Sequence, residues 1–73
     1  MPHVDIKCYP GRTEEQKKLC AEKVAQDIVE TLGCDPRHVS VAIKEVAKED
    51  WEEQIVNKVL VEDDAYLYKR TSI

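Results

Sequence analysis

His38-Val39-Ser40-Val41-Ala42-Ile43-Lys44-Glu45-Val46 puts Val39, Val41 and Ile43 at every second position, with Ser40, Ala42 and Lys44 between them. A side-chain period of two belongs to a strand whose faces meet different surroundings, so the stretch predicts a β-strand with one face on a core. Just upstream, Asp35-Pro36 blocks the continuation of a helix, and Gly33 offers the left-handed residue that closes one. Before Gly33, Cys20, Val24, Ile28 and Leu32 recur every four residues, flanked by Ala21, Ala25 and Val29, with Lys17, Lys18, Glu22, Lys23 and Asp27 on the other side. That pattern predicts an amphipathic helix over residues 14–32, about five turns long, with one face on a sheet. Thr13, three residues ahead of Gln16, has the spacing of a capping box at its start. Farther upstream still, Val4, Ile6 and Cys8 alternate with Asp5 and Lys7 in a first strand that Pro10-Gly11 ends in a turn.

Strand, helix and strand in that order form a β-α-β unit, whose right-handed crossover makes the strands parallel. The expected fold class is therefore α+β: a single β-α-β unit with two parallel strands, a two-layer α/β sandwich within one domain of residues 1–73. Two strands alone are marginal and leave open edges, so a second chain is expected to complete a four-stranded sheet. After Val46, Lys48 to Val56 is expected to form a helical turn or two carrying Trp51. A separate short helix, capped by Asp63 or Asp64, is expected through Lys69.

A chain of 73 residues with 42% apolar content has a small core and needs help from disulfides, a metal or self-association. Cys8, Cys20 and Cys34 are odd in number, and their spacings of 12 and 14 fit neither a disulfide framework nor the short pairs of zinc sites. They read as reduced thiols in a cytoplasmic protein, which leaves a homo-oligomer. Eleven basic against fifteen acidic side chains give a net charge of −4, the wrong sign for a partner held through phosphates. Apolar runs of three or four residues are too short to span a bilayer, and no charged-then-apolar leader opens the chain. Neither nucleic acid nor membrane is an expected partner. His3 and His38 each open a strand without the neighbours that would complete a metal site, so no metal is expected. Cys8 shares the direction of Val4 and Ile6 and reads as a small core residue.

Chemistry could lie at the chain's start. Pro2 is small enough at the penultimate position to permit removal of Met1, which would expose a secondary amine on a rigid ring. Burial and a nearby cation both disfavour the protonated amine, so such a nitrogen can act as a base near neutral pH. Alone, Pro2 reads first as the start of an ordered strand. Arg12 alone reads first as an exposed turn residue paired with Glu15, and Trp51 fits ordinary core packing as well as a pocket wall.

Taken together, Pro2, the first strand, Pro10-Gly11-Arg12, Thr13-Glu14-Glu15-Gln16-Lys17, Val39-Ser40-Val41-Ala42-Ile43, Glu45-Val46 and Trp51 resemble the 4-oxalocrotonate tautomerase family. The resemblance covers residues 2 to about 51 and continues more loosely to Arg70, and the segment from Asp50-Trp51 to Leu67-Tyr68-Lys69 looks most like the dimeric branch. It implies a tautomerase fold and an isomerase without cofactor. In the family, an amino-terminal proline shuttles a proton between oxygen and carbon of a small 2-oxo or 2-hydroxy unsaturated carboxylate. Pro2 matches that proline, Arg12 the arginine that holds a substrate carboxylate, and Trp51 the aromatic wall of the pocket. The second arginine of the best-known members is matched by Ser40, whose hydroxyl brings no charge to the substrate. Arg37, three residues earlier, could substitute if its loop bent inward. The glycine-rich hairpin of hexameric members is missing, since Glu52 to Asp64 contains no glycine, which favours a dimer over a hexamer. Two other readings stay open: a hydratase or dehalogenase using the same proline, and a non-catalytic self-associating module.

Overall fold

The computed structural model describes residues 1–72. Strand β1 (His3–Cys8) and strand β2 (Ser40–Glu45) run parallel, in a register that sets His3 beside Ser40, Val4 beside Val41 and Cys8 beside Glu45. The ladder extends one bond beyond each end: Ser40 N–H donates to the Pro2 carbonyl (3.2 Å) and Val46 N–H to that of Cys8 (2.8 Å). Between the strands lies helix α1 (Glu14–Ile28). The fold is the β-α-β unit that the alternating and four-residue periods require.

The helix begins where the capping box places it. Gln16 N–H donates to Thr13 Oγ1 (3.1 Å) and Thr13 N–H to Gln16 Oε1 (2.8 Å), satisfying two backbone donors that the helix cannot pair internally. Lys17 ion-pairs with Glu14 (2.8 Å) and approaches Glu45 (3.8 Å), tying the first turn of α1 to the end of β2. The other end differs from a plain α-helix through Leu32: from Val29 to Gly33 the chain winds as a wider π-helical turn. Gly33, at φ 69°, then reverses the backbone. Leu32 lies past the last turn that faces the sheet and is two-thirds exposed, while Ala21, Val24, Ala25, Ile28 and Val29 are half-buried. Cys20, expected on the same buried stripe, is exposed, because a sheet of two strands is too narrow to cover the whole helix face.

Residues 35–39 also depart from the simplest reading. Asp35 accepts from Arg37 N–H (2.8 Å) and caps a 3-10 turn, Pro36–His38, so His38 and Val39 belong to the turn and its end and β2 starts only at Ser40. The first helical piece expected after Val46 is longer than a turn or two over Lys48 to Val56. Helix α2 (Lys48–Trp51) runs into a π-helical segment (Glu52–Val59) and then a last turn, α3 (Leu60–Glu62). A single 3-10 turn, Asp64–Tyr66, replaces the short helix expected through Lys69. No glycine or proline interrupts residues 48–62, so nothing in the backbone breaks the helical run.

The two faces of the sheet have different covers. Ile6, Cys8 and Ile43 face α1 across a small cleft shared with Gln16 and Cys20, and Cys8 is half-buried there as expected of a core residue. On the opposite face, Asp5 and Lys7 border a cleft of about 600 Å³ whose far wall is Trp51, Ile55, Val59 and Leu60 of the C-terminal helical run. Lys7 (2.8 Å) and Lys44 (3.6 Å) both reach one oxygen of Asp5. The hydrogen bond from Lys7, aided by Lys44, holds the Asp5 carboxyl below its ordinary range. Ile55, 5% exposed, is the one buried side chain among the described residues. Leu19, Val61 and Tyr66 are all more than half exposed.

Candidate active site

Pro2 is half-buried at the mouth of β1, and its carbonyl is fixed by the Ser40 N–H. One residue on, His3 Nδ1 lies 2.6 Å from Ser40 Oγ, a hydrogen bond that the parallel register makes possible by setting the two residues side by side. Pro2, His3 and Ser40 thus form a polar cluster at the leading end of the sheet. Arg37 is not part of it. Its guanidinium binds both oxygens of Asp35 in a fork (2.9 to 3.3 Å) and is largely exposed, so the loop does not carry it to the position left vacant at Ser40. That pairing holds the Asp35 carboxyl low and the Arg37 guanidinium high.

The other candidates gather at the trailing end. Gly11, at φ 123°, turns the chain after β1 in a conformation that only glycine adopts at low cost. Arg12 follows, and its Nη1 donates to the Tyr9 carbonyl (3.3 Å), not to Glu15. The Tyr9 ring stands edge-on to Trp51, centroids 5.0 Å apart and planes at 78°, an arrangement that aromatic quadrupoles favour. Arg12 and Trp51 are thus linked through Tyr9, Arg12 at its carbonyl beside the cleft under α1 and Trp51 at its ring beside the cleft on the other face, and the three form a second cluster.

The six residues of β1, a length of roughly 20 Å at about 3.3 Å per residue, lie between the two clusters. Sequence reasoning did not single out Tyr9 or the His3–Ser40 contact. An aromatic directly before Pro10-Gly11-Arg12 signals the first, and the register of two parallel strands signals the second.

A family model described as tautomerase enzyme matches residues 2–54, beginning at Pro2 and taking in Arg12, Ser40 and Trp51. The chain belongs to the tautomerase family. Its relatives include the 2-hydroxymuconate tautomerase of Pseudomonas putida, 49% identical over 51 residues, which cover 70% of this chain and 81% of that one. The tautomerase PptA of an Enterobacter species (strain 638) is 43% identical over 56 residues, covering 75% and 74%. Among solved structures, one from a study of the 4-oxalocrotonate tautomerase isozymes of Methylibium petroleiphilum superposes with a TM-score of 0.66 at 44% identity, covering 68% of this tautomerase and 81% of that chain. TomN, described as a 4-oxalocrotonate tautomerase homologue, shares the fold at a TM-score of 0.67 and 23% identity, over 88% of this chain and 95% of its own. The tautomerase is thus an enzyme, and the reading of the chain as a non-catalytic module gives way. Residues 55–73, including most of the C-terminal helical run, lie beyond the family match. No helix among the described residues is long and apolar enough to cross a membrane.

Proposed function

We propose that this tautomerase interconverts the enol and keto, or 1,3-allylic, forms of a small 2-oxo or 2-hydroxy unsaturated carboxylate, with the Pro2 nitrogen moving the proton. The observation that carries the reading is the position of Pro2: half-buried at the open end of β1, and the first residue of the family match. Once Met1 is removed, the nitrogen is a secondary amine. It takes the proton of the substrate's 2-hydroxyl and returns it to a carbon of the conjugated chain, alternating as base and acid. No cofactor is required, because one group that both accepts and donates completes the transfer. With Met1 in place the nitrogen is a tertiary amide without useful basicity.

The length of β1 between the two clusters supports a site shared by two chains. Two copies whose β1 edges pair antiparallel about a two-fold axis bring the start of one strand beside the end of the other. Pro2 of one chain then meets Arg12 and Trp51 of a second. The site is composite: Arg12 binds the substrate carboxylate through its forked donors, and Trp51, braced by Tyr9, excludes water from the amine. The same pairing gives the four-stranded sheet and covers apolar side chains that one chain leaves exposed. We read the assembly as a homodimer of single-domain chains, residues 1–73, in a reducing cytoplasm.

Activity measured against intact mass tests the reading. Turnover of enol-phenylpyruvate is expected to follow the fraction of chains lacking Met1. Full activity in unprocessed protein would contradict it. The hydratase or dehalogenase alternative predicts halide release from a 3-haloacrylate, and no observation in the fold favours it.

A further inference from the structure

We propose that His3 positions the Ser40 hydroxyl as the hydrogen-bonding partner of the substrate's 2-oxygen, and that this uncharged pair selects a 2-oxo monoacid over a dicarboxylate. The inference rests on the reading of Pro2 as the proton carrier and names the substrate class of that site. Three observations support it. The Ser40 hydroxyl is held by His3 Nδ1 at 2.6 Å, across a register that also fixes the Ser40 N–H on the Pro2 carbonyl at 3.2 Å. Both side chains are exposed, so the hydroxyl is open to a ligand. The nearby cations are committed elsewhere: Arg37 to Asp35, and Lys7 and Lys44 to Asp5, which lies two residues beyond His3 on the same face.

The chemistry of the reaction suits such a pair. In the enol the 2-hydroxyl donates its one proton to the Pro2 nitrogen while its oxygen accepts; in the keto form the 2-oxygen is a carbonyl and accepts. A serine hydroxyl donates to that oxygen in both forms without bringing a charge, and a neutral imidazole protonated at Nδ1 is a donor that holds the serine oxygen. His3 then donates to Ser40, whose proton points at the 2-oxygen. Ser40 keeps its own proton, and the substrate proton travels only on Pro2. A second carboxylate at this end would have to compete with Asp5 for Lys7 and Lys44 and with Asp35 for Arg37.

His3→Leu, Ser40→Ala and the double variant, all lacking Met1, test the proposal by steady-state ketonisation of enol-phenylpyruvate. Each single change is expected to lower kcat by about tenfold to a hundredfold, with KM nearly unchanged, because the lost hydrogen bond matters most as charge develops on the oxygen. The double variant is expected to be no worse than Ser40→Ala alone, since His3 acts through Ser40. His3→Asn, whose amide reaches the place of Nδ1, is expected to recover most of the loss. Additive losses, no rescue by asparagine, or full kcat in Ser40→Ala would overturn the positioning role. Wild-type protein that turns over a dicarboxylate dienol faster than the monoacid, or a Ser40→Arg variant that folds and shows no relative gain on the dicarboxylate, would overturn the selectivity. Pro2→Ala at full rate would refute the proline reading, while the comparison of single and double variants would still report on the pair, whichever group carries the proton.

Discussion

Pro2 has the one nitrogen in the chain whose chemistry depends on the residue before it. Pro2→Ala leaves a primary amine on a freer backbone, and kcat/KM is expected to fall by roughly tenfold to a thousandfold, the span typical of losing a general base. Activity should rise with pH along one ionisation below the 7.7 to 8.0 of an ordinary α-amino group, because the protonated form cannot accept a proton. Trp51→Ala should move that ionisation upward by admitting water. A flat profile from about pH 5 to 9 would count against the amine. Arg12 has a different task. With an uncharged serine at residue 40, the task proposed for Arg12 is chiefly to bind the carboxylate, in ground state and transition state alike, so Arg12→Ala should raise KM more than it lowers kcat. A collapse of kcat at constant KM would show that Arg12 stabilises charge on the oxygen instead. Pro2, Arg12 and Trp51 could all be named from the sequence because their meaning lies in residue type and in their spacing along the family pattern. The links between His3 and Ser40 and between Tyr9 and Trp51 could not, since each joins residues far apart in the chain and depends on strand register or on how the C-terminal run folds back.

The elements divide between those set by local chemistry and those set by packing. β1, α1 and β2 carry their own punctuation: the capping box at Thr13, Gly33 at positive φ, and Pro36 in the turn before the second strand. They were legible for that reason. Gly33→Ala isolates one of these marks. A Cβ there meets nothing within 4 Å, so its cost is backbone strain alone. It is expected to destabilise the fold by about 1 to 2 kcal/mol in a denaturant titration, without changing kcat. A loss below about 0.3 kcal/mol would show that the helix end relaxes out of the left-handed region. The π-helical winding at residues 29–33 and 52–59 has no such mark. Leu60 N–H donates to the Ile55 carbonyl five residues back, where an α-helix would bond four back, and neither composition nor period distinguishes the two in advance. The extent of the helical run over residues 48–62 was missed for a related reason: its apolar face is read against the outer face of the sheet, whose Asp5, Lys7 and Lys44 look like solvent-facing charges in sequence.

At the scale of the molecule, charge and assembly can be separated experimentally. Asp5, Glu14 and Asp35 all have carboxyls held below their ordinary values of 3.8, 4.5 and 3.8 by Lys7, Lys17 and Arg37. A lowered folded-state pKa contributes stability that is complete above the unfolded value and is lost as pH falls through the folded one. Lys17, raised from 10.5 by Glu14, contributes below that value and loses its contribution above it. These pairs alone leave stability level between about pH 5 and 9 and let it decline below about pH 4, whereas a Pro2 amine depressed by folding adds a small loss as pH falls through its ionisation. Unfolding by chemical denaturant across that range checks this: the protein is expected to stay folded near neutral pH, and a folded fraction that drops along with activity would mean that the activity profile reports unfolding. The composite site is the central claim, and mixing two impaired variants tests it most directly. Pro2→Ala and Arg12→Ala chains, unfolded together in equal amounts and refolded, are assayed at substrate far below KM. If Pro2 of one chain works with Arg12 of another, each mixed dimer regains one intact site, and random pairing restores about a quarter of the wild-type rate. If both groups serve a site within one chain, the mixture shows no more activity than the average of the two variants alone.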